Sequence, residues 1–137
     1  MRKKQIVLFA LINKNKVLIE KRPLLGFKGV QYLIPGGAVE ETELENIEIA
    51  LRREMLEELG IIPIEFSLLD CKNIYNPLGI PLTPFIVSKW DGEIPTIVLD
   101  KDDQFPLEWV EIETVLNSPI HAIKKIAKAI KKVVSGK

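Results

Sequence analysis

The chain has 137 residues, of which 47% are hydrophobic, and its 19 basic residues balance its 19 acidic ones. This length falls within the roughly 100 to 200 residues of a typical domain, so we expect one domain over residues 1–137. The balanced charge argues against a nucleic acid polymer or an anionic membrane as the main partner, and the single cysteine, Cys71, excludes an intramolecular disulfide and a cysteine-based metal cluster.

The first apolar run, residues 6–12, follows a basic N-terminus in the charge order of a secretory signal. The run is too short for the apolar region of a signal, and it meets the polar segment Asn13-Lys14-Asn15-Lys16 where a signal would have small residues at its cleavage site. It is also far below the roughly 20 residues that span a bilayer. We therefore expect a cytoplasmic protein, which also fits the reducing compartment that one cysteine suggests.

Two β-rich runs open the chain, over residues 5–12 and 16–21. The polar segment between them, Asn13-Lys14-Asn15, predicts a hairpin with a tight turn. The first run has little polar alternation, which predicts a buried, central strand. A loop over residues 23–31 then leads to a short strand over residues 32–34.

The clearest helical pattern covers residues 44–59. The apolar residues that recur at helical spacing there are Ile47, Ala50, Leu51, Met55 and Leu59. Gly60 follows directly, where a glycine commonly ends a helix. The pattern therefore predicts one amphipathic helix that ends at Leu59.

Further strands are predicted over residues 61–69, 80–90 and 107–110, with a turn at Asp91-Gly92. A second helix is predicted to start at Asn117-Ser118-Pro119 and to carry its lysines outward. Its inward positions are Ile120, Ile123, Ala127, Ile130 and Val134. Strands followed by helices on both sides indicate an α/β sandwich with a mixed sheet.

Three carboxylates share one face of the first helix, because Glu54, Glu57 and Glu58 stand at positions i, i+3 and i+4. Such like-charged pairs cost about 0.2 to 0.5 kcal/mol each, and the helix dipole also disfavours anions in the last turn. A bound divalent cation would reverse this cost, and ligands that are all oxygen favour Mg²⁺ or Mn²⁺ over zinc. The alternative is a solvated face on which Arg53 pairs with Glu57.

The segment Pro35-Gly36-Gly37 supports the metal interpretation. Its glycines let the main chain approach a metal or a phosphate closely. On their own, the glycines would indicate only an ordinary turn. Because they directly follow a predicted strand, we expect them to lie near the carboxylate-bearing helix.

These residues together resemble the signature of the Nudix hydrolase family. The signature is a glycine, five residues, a glutamate, seven residues, and then Arg-Glu-aliphatic-x-Glu-Glu-x-Gly-aliphatic. Its second half is matched by Arg53, Glu54, Met55, Glu57, Glu58, Gly60 and Ile61. From Gly37 to Arg53 the chain has two positions more than the pattern allows. The insertion leaves Glu43 and Glu45 as rival candidates for the first signature glutamate.

The resemblance implies a Nudix-type α/β/α sandwich in which a mixed β-sheet lies between helices. It also implies that Glu54, Glu57 and Glu58 hold Mg²⁺ with help from the carbonyl of Gly36, while a carboxylate takes the proton of the attacking water. Glu54 is the first candidate for this base. Arg53 would orient a glutamate through a bidentate pair, which lysine does less well.

Other segments resemble the MutT-type branch of the family, which hydrolyses nucleoside triphosphates, including oxidised purine nucleotides. By that resemblance Arg22 contacts phosphates, Asp103 joins the metal site or acts as a rival base, and Asn117 reads the purine edge. Gly37 and Phe27 would also contact the substrate, with Tyr32 as an alternative stacking partner.

Each of these assignments has a structural alternative. Arg22 could be a surface charge, and Asp103 could be part of the acidic turn Asp100-Lys101-Asp102-Asp103. Asn117 could be a helix N-cap, and Phe27 a core aromatic.

The resulting functional hypothesis is Mg²⁺-dependent hydrolysis of a nucleoside triphosphate, 8-oxo-dGTP or a related purine nucleotide, to a monophosphate and pyrophosphate. One alternative is the same chemistry on ADP-ribose, a nucleotide sugar or a dinucleoside polyphosphate. Another is a Nudix-fold binding or regulatory module without catalysis, which the intact carboxylate cluster disfavours. We expect a monomer or a homodimer that binds a nucleotide-type small molecule.

Overall fold

The computed structural model describes residues 4–100 and 102–136. Its strands are β1 (Ile6–Asn13), β2 (Lys16–Pro23), β3 (Val30–Leu33), β4 (Gly36–Ala38), β5 (Ile62–Leu68), β6 (Leu82–Asp91), β7 (Ile97–Asp100) and β8 (Asp103–Glu111). Its helices are α1 (Ile47–Leu59), α2 (Ile112–Leu116) and α3 (His121–Ser135), and a 3₁₀ turn covers Glu41–Glu43. None of the described helices is long and apolar enough to cross a membrane.

The strands form a mixed sheet in the order β5-β6-β1-β2-β8-β7, with β4 beside β1 and β3 beside β2. The pair β1 and β6 is parallel, whereas the other pairs are antiparallel. Strand β1 therefore lies in the middle of the sheet, and the side chains from Val7 to Leu11 are buried. The expected mixed sheet and buried first strand are confirmed.

Successive residues of β1 enter two different apolar clusters, because neighbouring side chains of a strand point to opposite faces. Leu8 and Ala10 pack in the cluster that contains the buried face of α3. Val7, Phe9 and Leu11 pack in the cluster that contains the buried face of α1. The two helices therefore cover opposite faces of the sheet, as an α/β/α sandwich requires.

Strands β1 and β2 separate soon after their hairpin. Only two residue pairs join them, Ile12 with Val17 and Asn13 with Lys16. Further along, β1 pairs with β4, and β2 pairs with β3. An opening therefore forms between the two halves of the sheet, and β3 and β4 border it.

Several predicted boundaries need correction. Helix α1 begins at Ile47 and not at residue 44, because a separate 3₁₀ turn precedes it. Strands β4 and β7 and helix α2 were not predicted at all. Strand β8 begins at Asp103, four residues before the expected start, because it pairs with β7. The predicted bounds of β5 and β6, and the predicted start of the last helix, agree with the structure within a few residues.

Candidate active site

Helix α1 ends where its glutamates are concentrated. Gly60 adopts a left-handed conformation (φ = 68°), and its N–H donates to the carbonyl of Leu56. The last turn of α1 contains no basic residue. Glu57 and Glu58 therefore lie at the negative end of the helix dipole, and no basic residue of the same turn compensates their charge.

Arg53 fixes the segment that precedes the helix. Its Nε donates to Oε2 of Glu43 at 2.6 Å, and one of its terminal nitrogens donates to Oε1 of the same carboxylate at 2.8 Å. That nitrogen also donates to the carbonyl of Ala38 at 2.9 Å. A fork of this kind gives a strong and directional ion pair. Arg53 thereby ties β4 and the 3₁₀ turn to α1.

The other terminal nitrogen of Arg53 lies between two carboxylates of α1. It donates to Glu57 at 3.1 Å and to Glu54 at 3.4 Å. The pair of Arg53 and Glu57 is the one that the solvated-face alternative predicted. The same guanidinium also holds the buried Glu43, however, so this face is more than a solvated row of charges.

Glu43, and not Glu45, is the partner of Arg53. The Glu43 side chain is buried, with the residue only 4% exposed, whereas Glu45 is exposed. The backbone N–H of Glu40 also donates to Oε1 of Glu43 at 2.9 Å. The two additional residues of this segment are thus accommodated between Glu43 and the start of α1. The signature spacing counted forward from Gly37 therefore gives Glu43, the glutamate that pairs with Arg53. The same spacing counted back from Arg53 gives Glu45, which is exposed.

Glu54 is buried against β4. The residue is 8% exposed, and a Cβ atom added to Gly37 would collide with its carboxylate. Glycine at position 37 therefore leaves the space that this carboxylate occupies. Burial raises the pKa of Glu54, and the guanidinium of Arg53 opposes the rise. By contrast, hydrogen bonds from Arg53 lower the pKa of Glu43.

The remaining carboxylates of α1 differ in exposure. Glu57 is exposed, whereas Glu58 is half-buried and its Oε2 atom is shielded from solvent. Within residues 4–100 and 102–136, no three His, Cys, Asp or Glu side chains are grouped as ligands of one metal ion. Arg53 supplies the positive charge between Glu54 and Glu57 instead. The donors at this end of α1 are all oxygens, and such donors fit a hard divalent cation.

A cavity of about 220 Å³ occupies the opening between the two halves of the sheet. Its wall is largely apolar, with side chains from β1, β3 and the start of α3. Its polar side chains come from Glu20, Arg22, Asn76 and Tyr75. Gly36 also lines the cavity, while its neighbour Gly37 abuts Glu54. We call Arg53 and the carboxylates of Glu43, Glu54, Glu57 and Glu58 the acidic centre. Strand β4 therefore forms a wall shared by the cavity and the acidic centre.

Arg22 lies in the cavity wall, so it is not simply a surface charge. It donates to Glu20 at 2.9 Å, and its guanidinium lies over the ring of Phe105 at 3.9 Å. Glu20 is 2% exposed, and it was not among the site residues predicted from the sequence. The available signal was a carboxylate that directly follows the apolar run Val17 to Ile19 within a predicted strand.

The structure does not bring the remaining predicted residues to this centre. Asp103 is exposed in the β7–β8 hairpin, and no hydrogen bond or ion pair in the described part of the chain joins it to the glutamates. The acidic-turn alternative includes Lys101, which lies outside the described residues. Asn117 is exposed, and its amide donates to the carbonyl of Glu113 at 3.1 Å. Phe27 is half-buried against the α3 cluster and does not line the cavity.

The helix N-cap alternative for Asn117 is wrong. Asn117 ends α2, a helix that was not predicted from the sequence, and α3 begins only at His121. The hydroxyl of Ser118 accepts a hydrogen bond from the N–H of Ile120 just before α3. His121, the first residue of α3, is exposed.

Comparison with known proteins gives one family. The NUDIX domain matches residues 1–133. An 8-oxo-dGTP diphosphatase of Buchnera aphidicola subsp. Schizaphis graminum is 34% identical over 90 residues, which are 65% of this chain and 66% of that protein. The 8-oxo-dGTP diphosphatase of Escherichia coli K12 is 32% identical over 114 residues, 82% of this chain and 83% of that protein.

A solved structure gives the same result for the fold. It comes from a study of MutT from Aliivibrio salmonicida and Vibrio cholerae, and its TM-score is 0.67 at 25% sequence identity. The superposition covers 99% of this chain and all of that chain. The similarity therefore includes the whole sheet and its helices.

Proposed function

Because this chain belongs to the NUDIX domain family, we propose that it hydrolyses a nucleoside triphosphate to a nucleoside monophosphate and pyrophosphate. We include 8-oxo-dGTP among the substrates, since two similar proteins are 8-oxo-dGTP diphosphatases. Nudix hydrolases generally use divalent metal ions, and we propose Mg²⁺ for this one.

One observation carries the proposal: the acidic centre and the cavity share strand β4. The backbone at Gly36 lines the cavity, and Gly37 makes room for the carboxylate of Glu54. A nucleoside in the cavity would therefore place its phosphates beside the carboxylates of α1. A pure binding module would gain nothing from a like-charged cluster at that place.

The carboxylates of Glu54, Glu57 and Glu58 would hold the metal, with the Gly36 carbonyl as a further oxygen ligand. The chemistry that a divalent cation would supply there is shielding of the phosphate charge, stabilisation of the leaving group and activation of a water molecule. Glu54 is buried beside β4, where it borders the wall of the cavity that would hold the substrate. We therefore propose Glu54 as the general base in preference to Asp103, which is exposed in the β7–β8 hairpin.

Two arginines have separate tasks in this proposal. Arg53 keeps Glu54, Glu57 and the segment around Glu43 in fixed relative positions through its five N–H donors. Arg22 stands on the cavity wall and would contact the phosphates, since guanidinium groups suit phosphate geometry. Its ion pair with Glu20 holds it over Phe105 before a substrate arrives.

The test is a panel of substrates incubated with Mg²⁺, followed by identification of the products. The panel contains nucleoside triphosphates, 8-oxo-dGTP, ADP-ribose and a nucleotide sugar. We expect a triphosphate to give monophosphate and pyrophosphate, and we expect chelation of the metal to stop the reaction. Turnover of ADP-ribose or the nucleotide sugar alone, or release of inorganic phosphate from the triphosphates, would overturn the proposal.

A further inference from the structure

The loop between β5 and β6 holds the side chain of Asn76 in one orientation. Its Oδ1 accepts hydrogen bonds from the backbone N–H groups of Leu78 and Ile80, both at 2.9 Å. The backbone of Asn76 is also engaged, because its N–H donates to Ile80 and its carbonyl accepts from Gly79. The loop is thus closed around the oxygen of this side chain.

These bonds determine which end of the amide a ligand can use. An asparagine amide has one oxygen, which accepts, and one NH₂ group, which donates. Only the oxygen can accept from two N–H groups, so the assignment of oxygen and nitrogen at Asn76 follows from its contacts. Among the described residues, the NH₂ group has no hydrogen-bond partner. Asn76 therefore offers a ligand two donors and no acceptor.

Asn76 belongs to the cavity wall, together with Tyr75 and Pro77 of the same loop. Asn117, by contrast, is exposed and donates its amide to Glu113. We propose that Asn76 is a specificity-determining residue and that its NH₂ group donates to a keto oxygen of a bound purine base. This inference rests on the proposed function, since it assigns the base of the same nucleotide.

A donor-only group discriminates between purines. The O6 and N7 atoms of a 6-keto purine are both acceptors, whereas a 6-amino purine presents an N–H donor at position 6. Two donors that face each other leave a polar group unpaired and lose the hydrogen bond. A keto oxygen at C8 would satisfy the same NH₂ group. The shared chemistry is therefore an oxo group on the purine, at C6 or at C8.

The experiment compares kcat/KM for three triphosphates: dATP, dITP and 8-oxo-dATP. The dITP base carries a keto oxygen only at C6, and the 8-oxo-dATP base carries one only at C8. We expect one of the two oxo substrates to exceed dATP by about tenfold, which corresponds to one hydrogen bond. The preferred substrate identifies the keto oxygen that Asn76 contacts.

The variant Asn76→Asp tests the residue itself. An aspartate keeps the oxygen that accepts from Leu78 and Ile80, so the loop keeps its conformation, but the two donors are replaced by an acceptor. We expect the oxo preference over dATP to fall to about onefold. The control is Asn73→Asp, which adds the same charge to the same loop at an exposed position outside the cavity wall. The control should keep the wild-type preference.

Two results would overturn the inference while the proposed function stands: a wild-type protein that hydrolyses all three triphosphates equally, or an Asn76→Asp variant that keeps the wild-type preference. Failure to hydrolyse any of the triphosphates would contradict the proposed function as well. The effect of the added charge on substrate binding is removed by using the ratio of kcat/KM values within each variant.

Discussion

Arg53 contacts two buried glutamates whose pKa values move in opposite directions. Glu43 receives two short hydrogen bonds from the guanidinium, and its pKa is lowered. Glu54 receives one long hydrogen bond, and burial raises its pKa. At neutral pH, folding therefore favours the ionised form of Glu43 and disfavours the ionised form of Glu54. The first carboxylate supports the structure, and the second is kept at a cost to stability.

Neutralising these two glutamates should change stability in opposite directions. Without metal at pH 7, we expect Glu43→Gln to lower the free energy of unfolding by about 1–3 kcal/mol, since it weakens a charged hydrogen-bond pair. We expect Glu54→Gln to raise the thermal midpoint, because the variant removes a buried carboxylate whose ionised form is disfavoured by burial. Both midpoints are measured by thermal unfolding. Destabilisation by Glu54→Gln would contradict this account.

The contribution of Glu43 should also depend on pH. Because its pKa is lower in the folded chain than the ordinary value of 4.5, its stabilising effect is complete above that pH and is lost as pH falls through the lowered pKa. The stability difference between wild type and Glu43→Gln should therefore be constant near neutrality and shrink in acid. Glu54 should have the opposite effect. Because its pKa is raised in the folded chain, the free energy of unfolding should fall as pH rises through that pKa.

At the level of single residues, much of the acidic centre could be predicted from the sequence. The i, i+3, i+4 spacing predicted three carboxylates on one helix face, and Arg53 contacts two of them, Glu54 and Glu57. The sequence could not choose between Glu43 and Glu45, because the choice depends on how the two additional residues fold. The 3₁₀ turn at Glu41–Glu43 buries one glutamate and leaves the other exposed. Glu20 and Asn76 were missed because their roles arise from contacts with other parts of the chain.

Among the elements, β4 contacts both the cavity and the carboxylates of α1. Its two glycines face different neighbours, since adjacent strand residues point to opposite faces. A Cβ on Gly36 would collide with the backbone oxygen of Val7, and a Cβ on Gly37 would collide with the end of the Glu54 side chain. The backbone of β1 cannot move away easily, whereas a glutamate side chain can rotate.

Alanine at these two positions should therefore separate stability from activity. We expect Gly36→Ala to lower the free energy of unfolding by about 1–3 kcal/mol through overpacking. We expect Gly37→Ala to unfold close to wild type in urea but to lose most of its turnover, because Glu54 is displaced. The two variants serve as controls for each other. Equal destabilisation by both, or wild-type turnover of Gly37→Ala, would show that β4 does not set the position of Glu54.

Helix α1 could be predicted because its apolar stripe and terminal glycine are local signals. Strand β4 could not, because a three-residue segment with two glycines has no strand pattern of its own and is held by pairing with β1. Helix α2 was missed because its five residues are too few to show a helical period. Its omission also led to the wrong N-cap assignment for Asn117.

For the whole molecule, the divergence of β1 and β2 explains why a cavity and an acidic centre lie together. The hairpin joins two halves of the sheet, and each half then recruits its own short strand. The opening holds Arg22 and Asn76, and β4 separates it from α1. The sequence predicted a mixed sheet between helices but not this opening, because strand divergence depends on long-range pairing that no local pattern encodes.

Glu57 gives the most direct test of the proposed hydrolytic metal centre at the carboxylates of α1. Glu57 is exposed, so its replacement should not disturb the core. The control is Glu48→Gln, an exposed glutamate in the first turn of the same helix.

The measurement is turnover of a nucleoside triphosphate with saturating Mg²⁺, with folding checked by circular dichroism. Metal stabilisation of the transition state is worth several kcal/mol, so we expect Glu57→Gln to reduce turnover by at least about 100-fold. Glu48→Gln should match wild type. A folded Glu57→Gln protein with wild-type turnover would contradict the account.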